Sequence, residues 1–280
     1  MIELKEQPQK IKIDYNKIKV IVFNFNSNAD LLGLTCNDWL KMATLQFNTQ
    51  FVNRNLKVSE EEQILSLLSD SEITIVLHAF NPLITKENIA FYIDYLVYKN
   101  LDLVKLPFGY IFKTNYILKS KSFKEPILFN GINNEFLNVE TKQNFNTAFN
   151  ILKNRIIDSH ILSGVKFIDV NSTVIHYFVE IKSGVTIYPF NLITGKTQIF
   201  ENCLIKEGNT IEDSILCAEC VVSKSVIKNS SIGKGTIVSP FNTIIKSKIE
   251  DNCLIKSYNQ IEQTLISSET TVESFNNLGN

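Results

Sequence analysis

Six isoleucines, Ile181, Ile187, Ile193, Ile199, Ile205 and Ile211, fall six residues apart without a break. A helix repeats its buried face every 3.6 residues and a simple strand every two, so neither produces this spacing. A chain wound into triangular coils, with one inward aliphatic on each flat side, does. The ladder therefore predicts a left-handed parallel β-helix, a hexapeptide-repeat solenoid, for the second half of the chain.

The ladder continues less regularly through Ile215, Val221, Val226, Ile232, Ile237, Ile244, Ile249, Ile255, Ile261, Ile266 and Val272, in steps of mostly five or six. Two residues before many rungs stands a small or compact side chain: Val185, Asn191, Thr197, Cys203 and Asn209. Strand residues i and i−2 point the same way, so these share the inward face, where a tight corner favours small groups. The segment from Glu201 to Lys206 recurs as Asp251 to Lys256, nine rungs and hence three coils later. A β-sandwich of short strands would need turn signals every 8–12 residues; with 10 glycines and 6 prolines in 280 residues, the chain does not supply them.

The length suffices for two cores, and with 44% hydrophobic residues and a net charge of −1 nothing marks a nucleic-acid partner. No apolar run approaches the ~20 residues of a membrane span, and the polar start Met1-Ile2-Glu3-Leu4-Lys5-Glu6 does not read as a signal peptide. Of the five cysteines, Cys203 and Cys253 would sit three coils apart, about 14 Å at ~4.8 Å per strand, beyond disulfide reach. Cys217 and Cys220 form a C-x-x-C with neither a second pair nor a nearby His, so packed, reduced thiols and a cytoplasmic address are expected.

The first 150 residues follow a different pattern. Lys19 to Phe23 and Ile73 to Leu77 are short apolar runs of the kind buried in a parallel sheet. Ser59 and Glu62 form a capping box before Ile64 and Leu65. Thr85 caps a helix with Ile89, Tyr92, Ile93, Leu96 and Val97 on one face; Thr141 caps another with Phe145, Ala148, Phe149 and Leu152. Alternating strands and helices predict an α/β layer domain over 1–150, a connecting helix over 151–163 and the solenoid over 164–280.

At the junction, Asn154-Arg155-Ile156-Ile157-Asp158 through Gly164-Val165-Lys166-Phe167-Ile168-Asp169 resembles the arginine helix and first coil of a known family. This is the bifunctional N-acetylglucosamine-1-phosphate uridylyltransferase and glucosamine-1-phosphate acetyltransferase family. Ser239-Pro240-Phe241 resembles its "GPF" turn, Leu77 to Thr85 its "LYGD-x-PL" segment, and Leu137-Asn138-Val139-Glu140-Thr141 an "LNV-x-T" junction of related nucleotidyltransferases. The resemblance implies magnesium and acetyl-coenzyme A as cofactors, UDP-N-acetylglucosamine as product and a homotrimer of parallel solenoids. The exposed aromatics expected at Tyr188, Phe190, Phe200, Phe241, Tyr258 and Phe275 independently favour association.

The chain departs from this family at its functional positions. A triphosphate cradle needs glycines so that backbone N–H groups can approach closely; Asn24 to Gly33 offers one glycine, no arginine and Asp30. The magnesium-binding Asp of the family aligns with Phe80, which has no oxygen for a hard cation, and its partner Asn aligns with Glu140. The α/β domain is shorter than usual for the family, mostly between Asp102 and Asn138. In the solenoid, Glu262 stands where a phosphate-binding Lys is implied, Ser274 at the catalytic His and Asn277 at a Tyr. The sequence reaches Asn280 before the coils that hold acetyl-coenzyme A in the family. His78, His160 and His176 are assigned to a strand end, the connecting helix and an early coil, with no partner recognisable for general-base work.

The expectation is thus a shortened, motif-degenerate member without catalytic residues, cofactor or metal. It would act as a trimeric binding or regulatory module in sugar-nucleotide metabolism. Two alternatives stand beside it: a module that still holds a nucleotide sugar, and an active nucleotidyltransferase or acyltransferase with a rebuilt site.

Overall fold

The computed structural model describes residues 14–27, 29–129 and 136–279; the polar start, Asn28 and Asn280 lie outside them. The chain divides into two units, one of residues 1–29 and 34–148 and the other of 30–33 and 149–280.

The first unit is built on β1 (Ile18–Phe23), whose six residues are all buried. It pairs in parallel with β2 (Asn48–Val52) on one side and β3 (Ile73–His78) on the other. Beyond β3 lie the antiparallel β5 (Gly109–Lys113), then β4 (Leu103–Leu106) and β6 (Ile127–Leu128), giving the order β2-β1-β3-β5-β4-β6. Side chains alternate across a strand, so Val20 and Val22 join one core with α1 (Cys36–Thr44) and α3 (Lys86–Tyr98). Ile21 and Phe23 join another with α2 (Glu60–Leu67) and α4 (Thr114–Ser120). The result is a mixed sheet between two helical layers.

Local chemistry sets the helix starts. Thr35, Ser59 and Thr85 each cap with a reciprocal side chain three residues on, Asp38, Glu62 and Asn88. Thr141 accepts from the Asn144 amide (3.1 Å) at the head of α5 (Lys142–Leu162). Buried Lys19 reaches the Leu67 carbonyl (2.5 Å) at the end of α2, where a cation meets the unpaired last carbonyls favourably.

The second unit is a left-handed β-helix of three parallel sheets with seven, seven and six strands. Ile187, Ile193, Ile199, Ile205 and Ile211 are all fully buried, as the ladder required. Beyond Ile211 the register differs from the sequence expectation. The inward residues are Leu216, Val222, Ile227 and Val238, whereas Ile215 and Ile237 are exposed and Val221 and Val226 half-buried. Each pair is two adjacent aliphatics on a strand of two or three residues, so one must face out.

The slip arises at shortened corners. Five-residue steps run from Ile211, Val222, Ile227, Ile244 and Ile261 to the next rung. Each turns through a left-handed residue in its second position, namely Asp213, Lys224, Asn229, Lys246 and Gln263. Most six-residue steps delay that residue by one: Gly184 (φ 78°) does so where a Cβ would meet Asn202 Oδ1 at 2.3 Å.

The compact residues two before each rung hold the coils together. The Asn209 amide donates to Asn191 Oδ1 (3.0 Å), Ser225 to Asn209 Oδ1 (2.9 Å), Asn242 to Ser225 Oγ (3.2 Å), Asn259 to Asn242 Oδ1 (2.8 Å) and Asn276 to Asn259 Oδ1 (2.8 Å). A second corner repeats this through Thr197, Ser214, Ser230, Ser247 and Thr264. At the third, the Cys203, Cys220 and Cys253 thiols donate to carbonyls of Cys217, Gly233 and Ser267.

Asn242 also donates to the Ser239 carbonyl (2.6 Å), which Ser225 Oγ reaches as well (3.0 Å), so Asn242→Ala would leave one buried backbone group, the Asn259 N–H, without a partner. A loss of about 1–3 kcal/mol is expected in urea unfolding. Asn242→Ser should lose less than half as much, because a serine, Ser225, already fills this role one coil earlier.

Candidate functional site

The strand order places a topological switch at β1. The crossover through α1 lies on one face and the return through α2 on the other, which opens a crevice at the carboxyl ends of β1 and β3, where ligands of open α/β sheets bind. Backbone bonds shape its floor: Ala79 N–H donates to the Phe23 carbonyl (2.9 Å) and Val139 N–H to the Phe80 carbonyl (3.1 Å). Asn37 of α1 accepts from the Phe25 amide (3.0 Å) and donates to its carbonyl (2.9 Å), fixing the loop that leaves β1.

Aromatic rings fill one side of this crevice. Phe80 packs edge-on against Phe108 (5.1 Å) and Phe25 (6.4 Å) and lies tilted over His78 (5.0 Å), which in turn meets Phe23 (5.3 Å). The His78 Nε2 lies 3.3 Å from Glu60 Oε1 at the start of α2, and Arg54 approaches the other Glu60 oxygen at 4.0 Å. Burial opposes charge on Glu60, but the His78 hydrogen bond and the nearby His78, Lys105 and Arg54 charges outweigh it and hold its carboxyl below the usual range. This partner for His78 was not recognised in the sequence. The capping box located Glu60 on α2, but only the packing of α2 beside β3 brings it to the histidine.

Adjoining the rings is a cleft of about 370 Å³ lined by Phe25, Ser27, Ala29, Val139, Glu140, Thr141, Lys142, Phe145 and Asn146. Glu140 sits just before the Thr141 cap of α5 and accepts from Asn138 Nδ2 (2.6 Å). The crevice thus brings together Phe80 and Glu140, the two site positions singled out in the first unit. Neither has a companion set for a metal: no group of three or more His, Cys, Asp or Glu side chains able to hold an ion occurs among the described residues.

The other three positions lie in the final coils. Glu262 is half-buried on the outer wall above Ile245, Asn277 is exposed above Gln260, and Ser274 follows the inward Val272. No hydrogen bond links them. His160 lies in α5, its pKa lowered by burial. His176 stands on the outer wall of the first coil; burial lowers its pKa, while Asp30 and Glu212 pull in the opposite direction. Cys217 is half-buried whereas Cys220 is buried and bonded to carbonyls, so the C-x-x-C thiols do not form a common site.

No family model matches the chain. Over 107 residues it is 43% identical to the bifunctional protein GlmU of Clostridium beijerinckii, an overlap covering 38% of this chain and 24% of that protein. The GlmU of Clostridium botulinum strain ATCC 19397 is 36% identical over 107 residues, 38% of this chain and 23% of its own length. The match thus spans about a quarter of these curated relatives. Among solved structures, a mutant perosamine N-acetyltransferase from Caulobacter crescentus in complex with CoA and GDP-perosamine aligns over 92% of this chain and 90% of its own, at 13% identity and a TM-score of 0.33. Over these 107 residues the chain is similar to GlmU.

Phe80→Asp would place a carboxylate among three rings, those of Phe25, His78 and Phe108. It is expected to cost about 1–3 kcal/mol of stability and to produce no magnesium-dependent rise in melting temperature, since the rings around it offer no oxygen and Glu140 alone would not complete a magnesium site. A clear upward shift with millimolar magnesium would contradict this account.

Proposed function

Taking the chain as GlmU-like, we propose that it catalyses neither nucleotidyl nor acetyl transfer and serves as a trimeric binding or regulatory module of sugar-nucleotide metabolism in the cytoplasm. The carrying observation is Phe80, packed among Phe25, His78 and Phe108 where the resemblance calls for a magnesium-binding carboxylate. Phosphoryl-type transfer depends mainly on positioning and on neutralising charge. An aromatic cluster provides neither a metal ligand nor a cationic clamp. In the solenoid, Glu262 reverses the charge of a phosphate-binding position and Ser274 cannot replace an imidazole as general base.

Highly purified protein should form no UDP-N-acetylglucosamine from UTP, N-acetylglucosamine 1-phosphate and magnesium, and no N-acetylglucosamine 1-phosphate from acetyl-coenzyme A and glucosamine 1-phosphate. Turnover in either assay overturns the proposal. A rebuilt acyltransferase is the second reading, favoured by one observation: the half-buried His176 lies in the field of two carboxylates, Asp30 and Glu212. The acetyl-transfer assay separates the two readings.

The trimer is supported by the corrected register of the solenoid. On one outer wall Leu204, Val221, Ile237 and Leu254 stack in register through consecutive coils, forming an aliphatic stripe of the kind that monomers cover by association. Light scattering at micromolar concentration should give three times the chain mass, and Ile237→Lys should shift the population toward monomer without unfolding the coil, because Ile237 faces outward.

A further inference from the structure

The cleft of the α/β unit is a formed feature with a definite chemical character. Its volume of about 370 Å³ falls within the range of small-ligand sites, and it lies at the sheet's switch point. Two half-buried rings, Phe25 and Phe145, line it. Asn37 holds Phe25 in place through both of its backbone groups and Phe80 supports it edge-on, so this wall exists before any ligand arrives.

The polar lining is equally specific. Ser27, Thr141 and Asn146 offer hydroxyl and amide groups, and the charged groups are Glu140 and Lys142, one of each sign. A helix start attracts anions through its free N–H groups and dipole. At α5 the chain supplies that anion itself: Glu140 immediately precedes the cap, held by Asn138 at 2.6 Å. A phosphate entering the cleft would meet a fixed carboxylate with one lysine to offset it. A ligand N–H or O–H would meet a pre-oriented acceptor.

We propose that this cleft binds an uncharged ring rimmed with hydrogen-bond donors, either a free nucleoside or a free hexose, and discriminates against the phosphorylated form of the same compound. The inference rests on the reading that the unit no longer transfers nucleotidyl groups, and it reverses the charge preference such transfer requires. Ring faces pack on Phe25 and Phe145, and Glu140 accepts from the donor edge.

Titration calorimetry on the full chain without metal tests this, with uridine and N-acetylglucosamine as probes against uridine 5′-monophosphate and N-acetylglucosamine 1-phosphate. One unphosphorylated probe should bind at least about tenfold tighter than its phosphorylated partner, and which one it is distinguishes base from sugar. Glu140→Gln, at an exposed position, should narrow or reverse that ratio, and Phe145→Ala should weaken the preferred probe several-fold. Equal or tighter binding of the phosphorylated compound by the unaltered protein overturns the proposal. So does the absence of saturable binding by either neutral probe up to about 10 mM. Turnover in the transferase assays would remove the loss-of-activity reading by itself, whereas failure here in a protein without turnover removes only this inference.

Discussion

At two of the three corners of the coil an inward-facing N–H has no partner within its own turn. The side chain at the equivalent position one coil earlier accepts it. At one corner the acceptors are Asn191, Asn209, Ser225, Asn242 and Asn259; at another Thr197, Ser214, Ser230 and Ser247. A buried unmet backbone group costs about 1–3 kcal/mol, so a purely aliphatic interior would carry that penalty at each turn of these two corners. The isoleucine ladder supplies apolar burial, but these short polar side chains fix which coil sits on which. Stacked coils contact only their neighbours, so the register set at each corner is passed along the axis.

This arrangement explains what was legible in the sequence. A period of six survived as far as Ile211 because every step up to that rung is six residues long, so Ile193 and Ile205 keep phase even beside Leu192 and Leu204. Beyond it, Ile215-Leu216, Val221-Val222, Val226-Ile227 and Ile237-Val238 offered two candidates each, and hydrophobicity cannot choose between adjacent aliphatics. The choice is made by corner length, through left-handed residues such as Asp213 and Lys224 that carry no distinctive composition. In the α/β unit, caps at Ser59, Thr85 and Thr141 and the strands at Lys19 to Phe23 and Ile73 to Leu77 were readable because their signals are local. The hairpin of β4 and β5 was not, since its pairing depends on β3. Phe80 and Glu140 were legible as departures from a motif. Their neighbours Phe108 and Glu60 were not, because tertiary packing alone assembles them.

Packing, rather than free backbone, shapes the crevice of the α/β unit. A glycine-rich loop keeps its backbone free to approach phosphate. Here the loop after β1 has its Phe25 amide and carbonyl both engaged by Asn37, so the groups that would face a phosphate are already satisfied. Rings on Phe25, Phe80 and Phe108 occupy the volume beside it, and edge-on contacts of this kind contribute about 0.5–1.5 kcal/mol per pair beyond their buried area. On the proposed reading the site holds shape rather than charge, above a sheet with its switch point at β1.

A similar separation operates on the solenoid's surface. Phe241, Tyr258 and Phe275 occupy one corner in consecutive coils with φ near +65°, a conformation costing bulky L-residues about 1–2 kcal/mol each. Their rings stack at 5.0 Å spacing, nearly parallel for Tyr258 and Phe275 at 4°, and the two stacked pairs offset part of that strain. The corner is therefore stabilised by its side chains along the axis, independently of what the outer walls carry. Because inward ladders and corner stacks together define the coil, outward residues such as Glu262 and Ser274 are free to change without loss of the scaffold. The coil accordingly does not depend on the chemistry of its outer walls, and the aliphatic stripe of Leu204, Val221, Ile237 and Leu254 marks one such wall as apolar although the coil itself does not need it.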